Sequence, residues 1–226
     1  MAENTLTAEK VQTTRDATPA PAPRGAATGR RQSPAAHLAA EMAGLGERSE
    51  GAVALQELAF AVQAGLRARP GTPSAEALEK VLGLPLPTGV GQVSGDPLGQ
   101  HVVWMSPDEF LAVDVSREQA PGDTDALEQA LEGLPGQAVD LSANRTILEL
   151  TGPRARQVLE KGCHVDLHPR AFAVGTAVVT QLGPVPVVLH RYAEGGFRVY
   201  PRASFADYLV RWILDASEEY CHEEVL

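Results

Sequence analysis

H-V-V-W-M-S-P-D-E-F-L-A-V-D-V, residues 101–115, is the stretch that points most directly to the fold class. It holds two short β-prone runs, 101–105 and 110–115. The S-P-D-E link between them suits a tight turn, because Pro107 fixes its own φ. We therefore expect a β-hairpin here. A hairpin with a helix and a further strand on each side would make the β-α-β-β-α-β plan, the split βαβ or ferredoxin-like unit.

The sequence on either side of the hairpin fits this plan. Thr72-Pro73 marks a helix start, because proline at the first helical position loses no hydrogen bond, and Gly83 ends that helix. A second helix is expected from Asp123-Thr124, where apolar residues recur at helical spacing. The outer strands would be 138–141 and one extended segment over 53–67, although the apolar residues of 53–67 do not decide between strand and helix.

The second half of the chain repeats the plan loosely. A helix is expected to open at Thr151-Gly152-Pro153, and Gly162 is well placed as the residue that follows its end. A turn at Gly183-Pro184 separates two of the strands. The strands of this half are expected at 145–150, 176–182, 184–192 and 196–200.

The last helix has the clearest amphipathic pattern in the chain. Ser204 and Asp207 occupy the positions of a capping box. The apolar face consists of Phe205, Tyr208, Leu209, Trp212, Ile213 and Ala216. We expect this face to pack across a sheet and to bury its large aromatic side chains. The predicted fold class is α+β, with two sheet-plus-helix halves of ferredoxin-like character, about 53–142 and 143–220.

The two ends of the chain differ from this regular region. Residues 1–50 contain T-T-R-D-A-T-P-A-P-A-P-R-G-A-A-T-G-R-R-Q-S-P, which shows no hydrophobic period, so we expect a disordered tail. A short helix over 34–43 would lead into the folded region, 51–220. Residues 221–226 would form a short tail.

Composition and charge narrow the function classes. The 226 residues carry a formal net charge of −10, which argues against nucleic acid as a partner, because phosphate binding needs a basic face. No run of 18 apolar residues exists, so we expect no membrane span. M-A-E-N-T-L-T-A-E-K has no secretory signal pattern, and two cysteines are too few for a disulfide framework. We therefore expect a cytoplasmic protein with reduced thiols.

Motifs for common chemistries are absent from the sequence. It has no dinucleotide fingerprint, phosphate-binding loop, nucleophile elbow or pair of C-x-x-C motifs. The remaining cluster is G-C-H-V-D-L-H-P-R, residues 162–170. Its candidate zinc ligands are Cys163, His164 and His168, with Cys221 or His222 as the fourth. A nucleophilic Cys163 paired with a histidine is a second possibility. Because C-H-x-x-x-H matches no reliable ligand spacing, a structural or partner-contact loop is favoured.

Three other polar clusters have simpler interpretations. Asp108 and Glu109 are adjacent carboxylates, but successive strand residues point to opposite faces, so we do not expect them to converge. The polar bend 140–145 is expected to satisfy its own backbone. His190-Arg191, at the end of a strand, is expected to be satisfied or exposed rather than catalytic.

Four segments carry a resemblance to a known family. The longest is V-D-L-S-A-N-R-T-I-L-E-L-T-G-P-R-A-R-Q-V-L-E-K-G-C-H-V-D-L-H-P-R-A-F-A-V-G, residues 139–175. The others are S-F-A-D-Y-L-V-R-W-I-L-D-A (204–216), W-M-S-P-D-E-F-L (104–111) and L-P-L-P-T-G-V-G-Q-V. Over about residues 53–220 the chain resembles the gamma subunits of heterotetrameric sarcosine oxidases.

The resemblance implies a non-catalytic structural or assembly subunit of an alpha-beta-gamma-delta complex. That complex would demethylate sarcosine oxidatively to glycine, pass electrons to O₂ to give hydrogen peroxide, and transfer the one-carbon unit to tetrahydrofolate. FAD, FMN, NAD and tetrahydrofolate would bind on other subunits, and this chain would hold no cofactor, metal or catalytic residue. The alpha subunit would be the chief partner. The residues expected in subunit-contact loops are Trp104, Pro107, Asp108, Cys163, Asp166, His168 and Arg170.

The same region is similar, more distantly, to the folate-binding aminomethyltransferases of glycine cleavage. Their D-x-S…V-x-G-x-x-A-x-x-F-L pattern corresponds to D-L-S…L-T-G-P-R-A-R-Q-V-L here. Those transferases carry acidic residues on the strand after a Gly-rich hairpin, whereas L-G-P-V-P-V-V-L-H-R, residues 182–191, has none. This departure favours a structural role. A free-standing folate-binding aminomethyltransferase-like protein is the alternative, and a redox-sensing thiol protein is a third option.

Overall fold

The computed structural model describes residues 31–221. The tail expected before residue 31 and the final residues 222–226 lie outside this range. The helices are α1 (Ala39–Arg48), α2 (Pro73–Leu82), α3 (Asp125–Ala130), α4 (Ala155–Glu160) and α5 (Ala206–Ser217). The strands are β1 (Ala54–Glu57), β2 (Ala61–Arg67), β3 (Val93–Gly95), β4 (Gln100–Ser106), β5 (Glu109–Glu118), β6 (Gln137–Asp140), β7 (Leu148–Thr151), β8 (Thr176–Leu182), β9 (Val185–Ala193) and β10 (Gly196–Pro201). The α+β fold class is confirmed.

Sheet B contains the expected β-α-β-β-α-β unit. Its strand order is β3-β4-β5-β2-β6, and all its pairs are antiparallel. The predicted hairpin forms β4 and β5, with Val103 opposite Leu111. Helix α2 has Pro73 at its start and ends at Gly83, whose φ of 67° is left-handed. The ferredoxin-like order β6-β2-β5-β4 is extended by one short edge strand, β3.

Sheet A has the order β1-β7-β10-β9-β8 and is also antiparallel. The single extended segment expected over 53–67 is wrong, because it divides into β1, which belongs to sheet A, and β2, which belongs to sheet B. Phe60 lies between them with a φ of 61°, a conformation that interrupts an extended chain. The expected half 53–142 therefore contributes its first strand to the other sheet.

Helix α1 extends the folded region toward the N-terminus. The helix expected over 34–43 is present and continues to Arg48, after a 3₁₀ turn at Ala36–Leu38. Leu38, Met42 and Leu45 form an apolar stripe that is buried in the core against sheet A. Burial of this stripe makes residues from Ala35 onward part of the folded unit, so packing begins before the boundary expected at residue 51.

Each sheet packs helices on one face and the other sheet on the other. Helices α1, α4 and α5 cover sheet A, and α2 and α3 cover sheet B. Strand β10 shows the alternation, because Phe197 and Val199 belong to the helix-side core whereas Tyr200 packs between the sheets. The layers follow the order helices, sheet A, sheet B, helices. None of the helices in the described range is long and apolar enough to cross a bilayer.

Of two expectations about helix ends, one is wrong and one is confirmed. The capping box at Ser204 is absent, because α5 begins after a 3₁₀ turn without a side-chain cap, and Asp207 instead contacts His37 and Arg211. Gly162 does follow the end of α4, but its φ is not positive. A Cβ atom there would lie 2.6 Å from the Trp212 ring, so close packing explains this glycine.

Candidate functional site

The first predicted contact loop is the turn between β4 and β5. Trp104 is half-buried against the core between sheet B and its helices, and Asp108 is exposed in the turn. Asp108 Oδ1 lies 3.6 Å from Arg67 Nη1, and Glu109 Oε2 lies 3.2 Å from Arg67 Nη2. The two carboxylates therefore do converge, on one guanidinium. The alternation rule failed because Asp108 belongs to the turn with Pro107 and not to the strand.

In the second predicted contact loop, 163–170, polar side chains form hydrogen bonds with the backbone of the loop itself. Asp166 Oδ1 accepts the His168 N–H at 2.9 Å, and His168 Nδ1 accepts the Arg170 N–H at 3.2 Å. All three residues are exposed. Side chains that close local turns in this way shape a loop and bring no reacting groups together. Among residues 31–221, no hydrogen bond or ion pair links this loop with the 104–109 turn.

Cys163 begins this loop and is half-buried against the helix-side core of sheet A. Burial raises the pKa of its thiol above the ordinary value, so the sulfur is protonated near neutral pH and weakly nucleophilic. Within the described range, no three His, Cys, Asp or Glu side chains are arranged to hold a metal ion. Of the suggested fourth ligands, His222 lies outside that range, and Cys221 forms no cluster with the others.

A row of polar side chains crosses sheet A on the face toward sheet B. The strand register places Gln56 beside Glu149, Glu149 beside Arg198, and Arg198 beside His190. Gln56 Nε2 donates to Glu149 Oε1 at 2.8 Å, and Arg198 Nε donates to Glu149 Oε2 at 2.8 Å. Arg198 also donates to the carbonyl of Pro97, just before β4 of sheet B. Arg198 therefore links the ion pair of sheet A to the segment that leads into β4 of sheet B.

His101 faces this row from β4. Its Nδ1 lies 3.1 Å from the Gly99 carbonyl, and its Nε2 lies 3.3 Å from the Tyr200 hydroxyl of sheet A. The ring centroids of His101 and His190 are 5.4 Å apart, and both residues have no exposed surface. We call this buried polar cluster between the sheets the seam. Its members are His101, Glu149, His190, Arg198 and Tyr200, and the exposed Gln56 borders the cluster on the edge strand β1.

Burial holds the titratable rings of the seam in their neutral forms. It lowers the pKa of His190 to about 3, with a further contribution from the nearby His101 and Arg198. It also lowers the pKa of His101 and raises that of Tyr200. Both ring nitrogens of His190 lack a hydrogen-bond partner. The expectation that His190 is satisfied or exposed is therefore wrong, because β9 carries it into the space between the sheets.

The seam is better suited to holding the two sheets together than to catalysis. A general acid or base must come within hydrogen-bond reach of its substrate. His101, His190 and Tyr200 are each fully enclosed, and Arg198 is almost so. The sequence contains a signal for these residues, since Glu149 and Arg198 interrupt otherwise apolar strands. That signal does not reveal what covers the other face of sheet A.

Arg191, next to His190 on β9, faces a different environment. Its Nη1 donates to the Phe172 carbonyl at 2.7 Å, and its Nη2 contacts the Glu194 carboxylate at 2.9 Å. A cleft of about 360 Å³ lies beside it. Arg156, on the wall of that cleft, is paired with Glu160 at 2.6 Å. Both guanidinium groups of the cleft thus already have carboxylate partners.

The third notable surface is on α5. Phe205, in the 3₁₀ turn just before α5, and Tyr208, on α5, are 39% and 45% exposed, whereas Leu209 and Ile213 on α5 are fully buried. Trp212 is half-buried and packs near Gly183. The expectation that the helix buries its large aromatic side chains is therefore wrong for Phe205 and Tyr208. We call Phe205, Tyr208 and Trp212 the aromatic edge.

Comparison with solved structures defines the fold class. The glycine cleavage system aminomethyltransferase T from Bartonella henselae superposes with a TM-score of 0.57 at 18% sequence identity. The match covers 80% of this chain and 56% of that one. The protein therefore has an aminomethyltransferase-like fold, and at this identity the likeness concerns the fold alone.

Sequence comparison then defines the family. The model of the sarcosine oxidase, gamma subunit family matches residues 67–219. The chain belongs to this family. The sarcosine oxidase subunit gamma of Corynebacterium sp. (strain U-96) is 48% identical over 195 residues, which are 86% of this chain and 94% of the relative. That of an Arthrobacter species is 47% identical over 198 residues, 88% of this chain and 95% of the relative.

A solved structure supports the same assignment. A chain in the structure of heterotetrameric sarcosine oxidase from Corynebacterium sp. U-96, in complex with pyrrole 2-carboxylate, superposes with a TM-score of 0.80. The two chains are 48% identical, and the match covers 87% of this chain and 99% of the other. The family resemblance carried by residues 139–175 and 204–216 is thus confirmed.

Proposed function

We propose that the chain is the gamma subunit of a heterotetrameric sarcosine oxidase and serves as a non-catalytic assembly subunit. Similarity over nearly the whole length of curated gamma subunits supports this proposal. The complex would oxidise the N-methyl group of sarcosine, release glycine, reduce O₂ to hydrogen peroxide and transfer the one-carbon unit to tetrahydrofolate. FAD, FMN, NAD and tetrahydrofolate would bind to the other subunits.

The observation that carries the assembly role is the aromatic edge. Tyr and Trp are enriched among the residues that dominate protein–protein binding energy. Phe205 and Tyr208 are exposed although α5 has a well-buried apolar face beside them, and Trp212 is half-buried next to them. The side chains best suited to chemistry are less available, because His101 and His190 are enclosed and the Cys163 thiol is kept protonated.

The chief partner in this proposal is the alpha subunit. The Cys163 loop and the aromatic edge adjoin each other, because the Gly162 carbonyl accepts the Gly183 N–H at 2.9 Å and Trp212 packs on both glycines. One continuous contact surface on sheet A and α5 could therefore include both. The remaining loop residues proposed as contacts are Trp104, Pro107, Asp108, Asp166, His168 and Arg170.

Co-expression of the four subunits with an affinity tag on alpha tests this role. We expect the wild-type chain to co-purify in stoichiometric amount and Phe205→Ser/Tyr208→Ser to be lost from the complex. The matched control is Val90→Ser/Leu98→Ser, since these apolar residues are 72% and 66% exposed elsewhere on the surface. Failure of the wild-type chain to co-purify would contradict the subunit role.

The alternative function is a free-standing folate-binding aminomethyltransferase-like protein, which the fold likeness favours. Equilibrium binding of tetrahydrofolate to the full chain distinguishes the two. The assembly proposal expects no tight binding in the absence of the other subunits. Tight binding together with absence from the complex would support the alternative.

A further inference from the structure

The contact between the two sheets holds the smallest of the three buried apolar clusters in the described chain. Its buried apolar members include Val103, Leu111 and Val113 from sheet B, Val188 from sheet A, and Ile147 just before β7. Each sheet also has a larger or comparable core against its own helices. The fold therefore has two helix-backed sheets, and a mixed polar and apolar layer holds them together.

The polar part of this layer contains the groups whose charge can change with pH. His190 has no hydrogen-bond partner on either ring nitrogen, and the ring of His101 is its nearest aromatic neighbour across the sheets. Glu149 is already engaged by Arg198 and Gln56. The titratable and charged groups around the two rings are Tyr192 on β9, Arg198 and Tyr200 on β10, Glu149 on β7 and Asp114 on β5.

We propose that the His101–His190 contact is an acid-sensitive lock between the two sheets, which opens when either ring gains a proton. A proton on one ring would place a positive charge beside Arg198 and the other ring in a site shielded from water, where like charges repel strongly. Separation of the sheets would hydrate that charge. Each sheet would keep its own helix-side core.

The direction of the pH effect follows from burial. Both folded-state pKa values lie below the ordinary histidine value near 6.5, so the open state binds more protons. The stabilisation from His190 is fully present above about pH 6.5 and is lost as the pH falls toward about 3. Each ring raises the opening constant by up to about tenfold per pH unit while the pH lies between its folded-state and unfolded pKa values, so two rings together give at most about a hundredfold.

The two tryptophans report on the two sheets separately. Trp104 packs with the helix-side core of sheet B, and Trp212 packs with that of sheet A. Urea unfolding of the full-length chain, followed by fluorescence in Trp104→Phe and in Trp212→Phe, therefore tests the lock. At about pH 7.5 we expect coincident transitions, and at about pH 5 separate ones, since non-coincident probes reveal an intermediate. Coincidence at both pH values would overturn the proposal.

Substitution of His190 tests whether the separation of the two unfolding transitions depends on the seam. His190→Leu should reduce the pH dependence of the opening constant from at most about a hundredfold per pH unit to at most about tenfold, because one titrating ring remains. The matched control is His164→Leu at an exposed histidine, which should behave as wild type. An unchanged pH dependence in His190→Leu would overturn the proposal. If that variant does not fold, His190→Asn provides the same comparison.

Discussion

The loop 163–170 and the seam contain the same kinds of side chain in opposite surroundings. In the loop, Asp166 and His168 are exposed and bond to nearby backbone N–H groups. In the seam, Glu149 and His190 are buried and contact groups on strands distant in sequence. Removal from water therefore gives the seam histidine a strongly shifted pKa, whereas the loop residues retain access to solvent.

The largest expected effect is in the seam. Glu149→Ala would leave the Arg198 guanidinium buried without its carboxylate, which typically costs about 3–5 kcal/mol of unfolding free energy. Chemical denaturation at neutral pH measures the change. The control is Glu109→Ala, which removes an exposed carboxylate from Arg67 and should cost at most about 1 kcal/mol. Equal costs at the two sites would refute the contrast between buried and exposed pairs.

An intermediate effect is expected where the loop leaves α4. Gly162→Ala would push a methyl group into the Trp212 ring, and overpacking of this kind costs about 1–3 kcal/mol. Thermal unfolding would detect the loss. Gly44→Ala is the control, because a Cβ atom there meets nothing within 4 Å and alanine favours the helix by about 0.5–1 kcal/mol. A neutral Gly162→Ala would mean that the ring can move aside freely.

The smallest effect is expected within the loop itself. Asp166→Ala removes one side-chain bond to an exposed backbone N–H, a net loss of about 0.5–1.5 kcal/mol. A chelator should leave the melting temperature of the protein unchanged, because His164 and His168 form no metal cluster with Cys163. A large fall in melting temperature on chelation would contradict this expectation and support a zinc site in the loop.

Local signals predicted sheet B well. Pro107 in the turn, Pro73 at a helix start and the left-handed Gly83 each act within a few residues, so the sequence reveals them directly. The division of 53–67 could not be predicted in this way. Its apolar residues are compatible with strand or helix. The left-handed residue between β1 and β2 is Phe60 and not a glycine, so the sequence does not signal the turn.

Long-range pairing explains why the seam was missed. Glu149 lies between Leu148 and Leu150, and Arg198 lies between Phe197 and Val199, so alternation places each polar residue on the face opposite the helices. Only the register of sheet A and the position of sheet B show that this face is covered. The residues of 163–170 form a cluster in the sequence because they are close along the chain, but in the structure they have separate local roles.

The most direct test of the non-catalytic role is sarcosine-dependent peroxide formation per assembled complex that contains a Cys163→Ser/His168→Ala chain. Both side chains are proposed to serve loop structure and subunit contact, so turnover per assembled complex should stay within about twofold of wild type. Loss of a catalytic acid, base or nucleophile would lower it by about 10²–10⁴-fold. A loss of that size in a fully assembled complex would contradict a non-catalytic role for this chain.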